Sequence, residues 1–91
     1  MKKVTLDFSD CKTVQALHRE LKKKLFLPDY YGENGDALWD LLSGFCETPM
    51  HVVITPCTKG TADVMCEMEL IQRIFSSFAE EFPENKITQS V

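Results

Sequence analysis

Ninety-one residues, 44% hydrophobic and 26% charged, fit one globular domain (residues 1–91) close to the smallest size that folds on a hydrophobic core alone. No apolar run approaches the roughly 20 residues needed to cross a bilayer, which argues against a membrane protein. A net charge of −4 argues against direct nucleic-acid binding and fits a partner of opposite sign better.

Asp7 and Asp10 interrupt any apolar stretch after Lys2 and Lys3, so no export signal is expected and the cytoplasm is the expected compartment. Cys11, Cys46, Cys57 and Cys66 lack the CxxC spacing of a zinc or redox site. In a reducing compartment they are expected as free thiols that fill space as small apolar residues, with no metal or cofactor.

In chain order, Val4-Thr5-Leu6-Asp7-Phe8 alternates apolar and polar residues, the pattern of a strand with one buried face. Thr13 is the expected N-cap of a helix reaching Leu25, with Val14, Leu17, Leu21 and Leu25 as its apolar stripe. Lys22, Lys23 and Lys24 stand at its C-terminal end, where the helix dipole favours cations. Pro28 disfavours helix at Leu27 and marks the stop. His18 falls on the apolar stripe and is expected partly buried, hydrogen-bonded to backbone; His51 is expected to be structural.

Asn34 is the expected N-cap of a second helix, with Asp36 in its first turn and Gly44 near its end. His51-Val52-Val53-Ile54-Thr55 is a β-branched run, read as a strand buried on both faces. A loop from Pro56 to Thr61 leads to a third helix, roughly Ala62 to Phe82. Its core face carries Val64, Met68, Ile71, Phe75, Phe78 and Phe82, with Ile74 at the edge. Lys86 to Val91 is a weaker strand resting on Ile87 and Val91. Strand–helix–helix–strand–helix–strand implies an α/β fold with parallel strands and right-handed crossovers.

The second helix is the informative element. At about 100° per residue Leu38, Leu41, Leu42 and Phe45 share one face, while Asp36, Trp39, Asp40 and Ser43 share the other. The only tryptophan is thus placed away from the core, between two aspartates. From Leu25 to Thr58 there is no Lys or Arg, yet Asp29, Glu33, Asp36, Asp40 and Glu47 all lie there. Such a patch would attract a cationic surface.

Three readings follow from these residues. Asp36 and Asp40, at i and i+4, could form an acid–base pair with split pKa values. Against this, a chain so short has little material for a deep cleft, and it shows no nucleophile–base constellation or phosphate loop. In a second reading Trp39, Asp36 and Asp40, with Tyr30 beside them, form a protein-binding surface. Tyr and Trp supply contact area at low entropy cost, and the carboxylates supply charge-assisted bonds to Lys or Arg. In a third, Trp39 packs under the preceding loop and the aspartates are merely solvated. The residue chemistry fits the second reading with least adjustment.

Leu27-Pro28-Asp29-Tyr30-Tyr31-Gly32-Glu33-Asn34-Gly35-Asp36-Ala37-Leu38-Trp39-Asp40 resembles the signature of the barstar family of intracellular ribonuclease inhibitors. Upstream the resemblance runs through Leu17-His18 and Leu21-Lys22-Lys23, whereas beyond Pro49 mainly the order of elements agrees. It implies a three-stranded parallel sheet packed with helices, and a second helix that plugs the active site of a small basic ribonuclease or nuclease toxin. The expected inhibitor is a monomer acting as an immunity protein or antitoxin.

On that resemblance Asp40 would enter the cationic pocket for substrate phosphate, so that the helix over residues 34–44 mimics the phosphate. Asp36 would pair with a basic residue. Trp39 and Tyr30 would pack around the site, with Ser43 on the same face. Asn34, Gly35 and Gly44 would bring backbone close to the enzyme. Three positions depart from the family pattern: Gly35 replaces a larger apolar residue, Phe45 replaces a tryptophan, and Ser77 stands where an acidic contact is expected. The alternative is a barstar-like interaction domain with a non-nuclease partner.

Overall fold

The computed structural model describes residues 2–89. The elements run β1 (Lys2–Asp7), α1 (Val14–Leu25), α2 (Gly35–Gly44), β2 (Met50–Thr55), α3 (Ala62–Glu81) and β3 (Lys86–Gln89). The sheet order is β1-β2-β3 and both pairings are parallel. Val4 pairs with Val52, and Val52 with Ile87. The expected α/β class and element order are both present.

The topology explains where the core lies. Each crossover steps one strand in the same direction, so two right-handed connections place their helices on one side of the sheet. The strands accordingly bury alternate residues. Val4, Leu6, Met50, Val52 and Ile54 point into the core with Leu17, Leu21, Leu38, Leu42, Ile71, Phe75 and Phe78. Lys3, Thr5 and Asp7 on the other face are exposed. His51, Val53 and Thr55 are only half-buried, which corrects the expectation of a strand buried on both faces. The apolar composition of β2 reflects its central place between two strands.

Local signals fix the helix ends. The Ala16 N–H donates to Thr13 Oγ1 at 3.0 Å, the cap expected for α1. Its C-cap, Phe26, adopts a left-handed conformation (φ 54°) and leaves the ring 74% exposed. α3 ends one residue short of expectation, with Phe82 as its C-cap. Buried Asn85 ties the turn after α3 to the sheet: its amide oxygen accepts from Met50 N–H at 2.8 Å, and its amide donates to the Phe82 carbonyl. β3 includes Ile87, half-buried, while Val91 lies outside the described residues. Cys11, Cys46, Cys57 and Cys66 are all free thiols. No helix among the described residues is long and apolar enough to cross a membrane.

Candidate functional site

The segment that enters α2 is shaped by its cap. Asn34 Oδ1 accepts from Ala37 N–H at 2.9 Å, while its amide donates to the Gly32 carbonyl at 3.1 Å. Both ends of this side chain are thus spent on the turn, and its expected capping role is met. Asp36 lies in the first turn, next to N–H groups that carry the positive end of the helix dipole. Leu38, Leu41 and Leu42 are buried and anchor the helix, which packs principally against α3.

Asp36 and Asp40 are exposed, and neither carboxylate forms an ion pair among the described residues. Tyr30 is 76% exposed in the turn before α2. Ser43 is exposed, but its hydroxyl donates back to the Trp39 carbonyl at 2.8 Å, a bond within the helix. Gly44 is exposed with open space where a side chain would stand, so no packing contact of the chain demands glycine there.

Two side chains depart from the helical-wheel expectation. Trp39 is half-buried: its indole meets the Phe78 ring edge-on at 87°, with centroids 6.5 Å apart. A wheel assigns residues to one core, yet α3 runs beside α2 and covers one flank of the indole. The other flank lines an open groove, so the ring is a wall of the site and not a free projection. Phe45, expected among the core residues, is 51% exposed. The helix stops at Gly44, and Phe45 as C-cap no longer follows the apolar stripe.

The groove, about 680 Å³, lies between α2 and α3. Asn34, Gly35, Asp36 and Trp39 supply one wall; Leu70, Arg73, Ile74, Ser77 and Glu81 supply the other. Leu70 is 41% exposed and gives it an apolar floor. Gly35 is half-buried, and a β-carbon on it would sit 3.1 Å from Ile74 Cδ1 and 3.2 Å from Leu70 Cδ2. The glycine therefore allows α2 to approach α3 closely, a reason internal to the chain.

Of the eight expected site residues, Asn34, Gly35, Asp36 and Trp39 meet in this groove. Tyr30, Asp40, Ser43 and Gly44 occupy the adjoining exposed surface of the turn and of α2. Of the α3 wall only the Ser77 position was foreseen, as the place of an acidic contact; Leu70, Arg73, Ile74 and Glu81 were not. Leu70, Ile74, Ser77 and Glu81 recur at helical spacing, a second stripe beside the core stripe that the sequence does display. Ser77 carries no charge, but Glu81, one turn on, brings a carboxylate to the same groove. Arg73 also lines the groove, and its guanidinium pairs with Glu69 at 2.5 Å. The region without cations along the sequence thus has a cation at its edge in space.

The profile described as "Barstar (barnase inhibitor)" matches residues 1–91. The chain belongs to the barstar family. A Bacillus subtilis (strain 168) protein named "Putative ribonuclease inhibitor YrdF" is 46% identical over 54 residues, an alignment covering 59% of this chain and 59% of that protein. The barstar-family chain is therefore matched over less than two thirds of that relative's length.

Proposed function

We propose that this barstar-family chain inhibits a basic ribonuclease or nuclease toxin, using α2 and the turn before it as the blocking surface. The observation that carries the reading is the pair Asp36 and Asp40, exposed and without an ion-pair partner among the described residues. Beside them stand the exposed Tyr30 and the half-exposed Trp39. Carboxylates left unpaired within a chain are free to form charge-assisted bonds with Arg or Lys of another. Asp40 takes the place of substrate phosphate in the enzyme's cationic pocket, and Asp36 pairs at its rim. Family membership and the name of the Bacillus relative support the same reading.

The groove extends this surface onto α3, where Glu81 supplies a third carboxylate and Leu70 and Ile74 supply apolar contact. Ser43 and Gly44 complete the surface at the C-terminal end of α2, where the absence of a β-carbon lets a partner's backbone approach closely. The chain works as a monomeric inhibitor in the cytoplasm, acting as an immunity protein or antitoxin and not as a hydrolase.

Titration of the purified chain into barnase and other basic ribonucleases, with RNA cleavage as the readout, tests the proposal. Stoichiometric loss of cleavage, with an association rate that falls as salt rises from about 0.05 to 0.5 M, is expected, because screening shortens the reach of the acidic surface. Absence of inhibition across such enzymes would overturn the ribonuclease reading in favour of a non-nuclease partner.

A further inference from the structure

His18 is the one buried histidine, 1% exposed, and nothing in the blocking surface uses it. Its ring nitrogens are both engaged, though not with backbone as the sequence suggested. Nδ1 lies 2.7 Å from the Tyr31 hydroxyl, and Nε2 lies 2.5 Å from Glu67 Oε2. The imidazole therefore sits midway along a polar chain joining three separate pieces of the fold. His18 belongs to α1, Tyr31 to the loop over residues 26–34, and Glu67 to α3. The two bonds span 13 and 49 residues of sequence.

The loop is the piece with fewest other ties. Its backbone bonds from Leu27 N–H to the Lys22 carbonyl and from Tyr31 N–H to the Pro28 carbonyl are local, as is that from the Asn34 amide to the Gly32 carbonyl. The ion pair of Asp29 with Lys22 at 3.2 Å is exposed and contributes little. Among the described residues, the Tyr31 hydroxyl makes the loop's one side-chain hydrogen bond to a distant element. Burial of Leu27 and Tyr31 holds the loop down without direction, whereas the hydroxyl bond fixes how the Tyr31 ring lies.

The neighbour of Tyr31 matters here. Tyr31 is 6% exposed and Tyr30 is 76% exposed, so consecutive side chains take opposite directions from one short stretch of backbone. A locked Tyr31 sets the direction of Tyr30 and the path through Gly32 and Glu33 into the Asn34 cap. Glu33 has a positive φ of 52°, a conformation few non-glycine residues adopt without support around them.

A consistent proton arrangement closes the chain. With Nε2–H donating to the Glu67 carboxylate and Nδ1 accepting from the Tyr31 hydroxyl, both ring nitrogens are satisfied. Burial raises the Tyr31 phenol above its ordinary range, and the Glu67 and Glu33 carboxylates act the same way, so the phenol keeps its proton and can donate it.

We propose that His18, Tyr31 and Glu67 are positioning residues: together they fix the Tyr30–Asn34 segment in its binding-ready conformation without touching the partner. The proposal rests on the blocking-surface reading for its consequence, but its physical core concerns the free protein and is tested there.

The decisive measurement is residue-resolved amide hydrogen exchange on the free chain, for wild type, Tyr31→Phe, Glu67→Ala and Glu67→Gln. Tyr31→Phe removes a hydroxyl and little volume. It should speed exchange of the Tyr31 amide, which donates to the Pro28 carbonyl within this segment, by roughly tenfold, the effect of one lost buried hydrogen bond, while amides of β2 and α3 stay within about twofold. Glu67→Ala should loosen the same segment. Glu67→Gln should restore protection, since its amide oxygen can accept from Nε2–H. Uniform acceleration across sheet and loop would reduce the triad to general stability and overturn the proposal. So would an unchanged loop in Tyr31→Phe, or a Glu67→Ala variant with wild-type protection. Inhibition of barnase by the same variants is a separate arm. If wild type inhibits, Tyr31→Phe should weaken inhibition several-fold while Glu67→Gln does not; equal inhibition by wild type and Tyr31→Phe overturns the positioning claim. If wild type does not inhibit, the barnase reading fails and the exchange data still decide the role of the triad.

Discussion

Asp40→Ala separates recognition from folding. Asp40 is the sixth residue of a ten-residue helix, remote from either cap, exposed and unpaired among the described residues. Its removal breaks no contact of the chain. Alanine is the better helix former by up to about 0.7 kcal/mol, so the variant should melt at the same temperature or up to about 4 °C higher. Binding is a different matter. A carboxylate seated in a cationic pocket accepts at least two charge-assisted bonds, each contributing roughly 1.5–3 kcal/mol. Losing about 3 kcal/mol weakens inhibition on the order of a hundredfold. Thermal unfolding by circular dichroism and an inhibition constant from RNA cleavage measure the two effects on one preparation. A melting point lower by about 5 °C, or an unchanged inhibition constant, would show that the carboxylate serves the fold or nothing, and the phosphate-mimic argument would fall.

Other outcomes follow from local geometry. Asn34→Ala removes the oxygen that accepts from Ala37 N–H and should cost about 1 kcal/mol, read as a melting point lower by roughly 4–8 °C. Gly35→Ala sets helix propensity against contacts of 3.1 and 3.2 Å to the tips of Ile74 and Leu70. Leu70 is partly exposed and can turn away, but the nearer Ile74 is half-buried against the core, so a loss of up to about 1 kcal/mol is expected; a higher melting point would mean the groove wall yields. Asp63 is held below its ordinary 3.8 first by the Thr61 hydroxyl and then by the Val64 N–H. Its folded pKa lies below the unfolded one, so its stabilising contribution is complete above the unfolded value and disappears as pH falls through the folded one. Asp63→Asn should therefore flatten the fall of the melting point below about pH 4, and an identical acid limb in the variant would refute the assignment.

The residue chemistry of this chain settles whatever depends on near neighbours. The caps at Thr13 and Asn34 follow from side chains three residues from the N–H groups they satisfy. The parallel order follows from strands separated by helices, and the family from a contiguous run beginning at Leu27. Exposure of the candidate residues was legible to the same depth: Tyr30, Asp36 and Asp40 are exposed because their own segments offer them no burial. What the sequence left open depends on which element lies beside which. Trp39 is half-buried because α3 borders α2, and the Leu70–Glu81 stripe becomes a groove wall for the same reason. Phe45 turns to solvent because the helix ends before it. His18 could be placed on a buried face from periodicity, but its partners come from another loop and another helix, 13 and 49 residues away. Local pattern is set by bonds a few residues long; a groove or a buried polar chain exists only once distant segments are packed together.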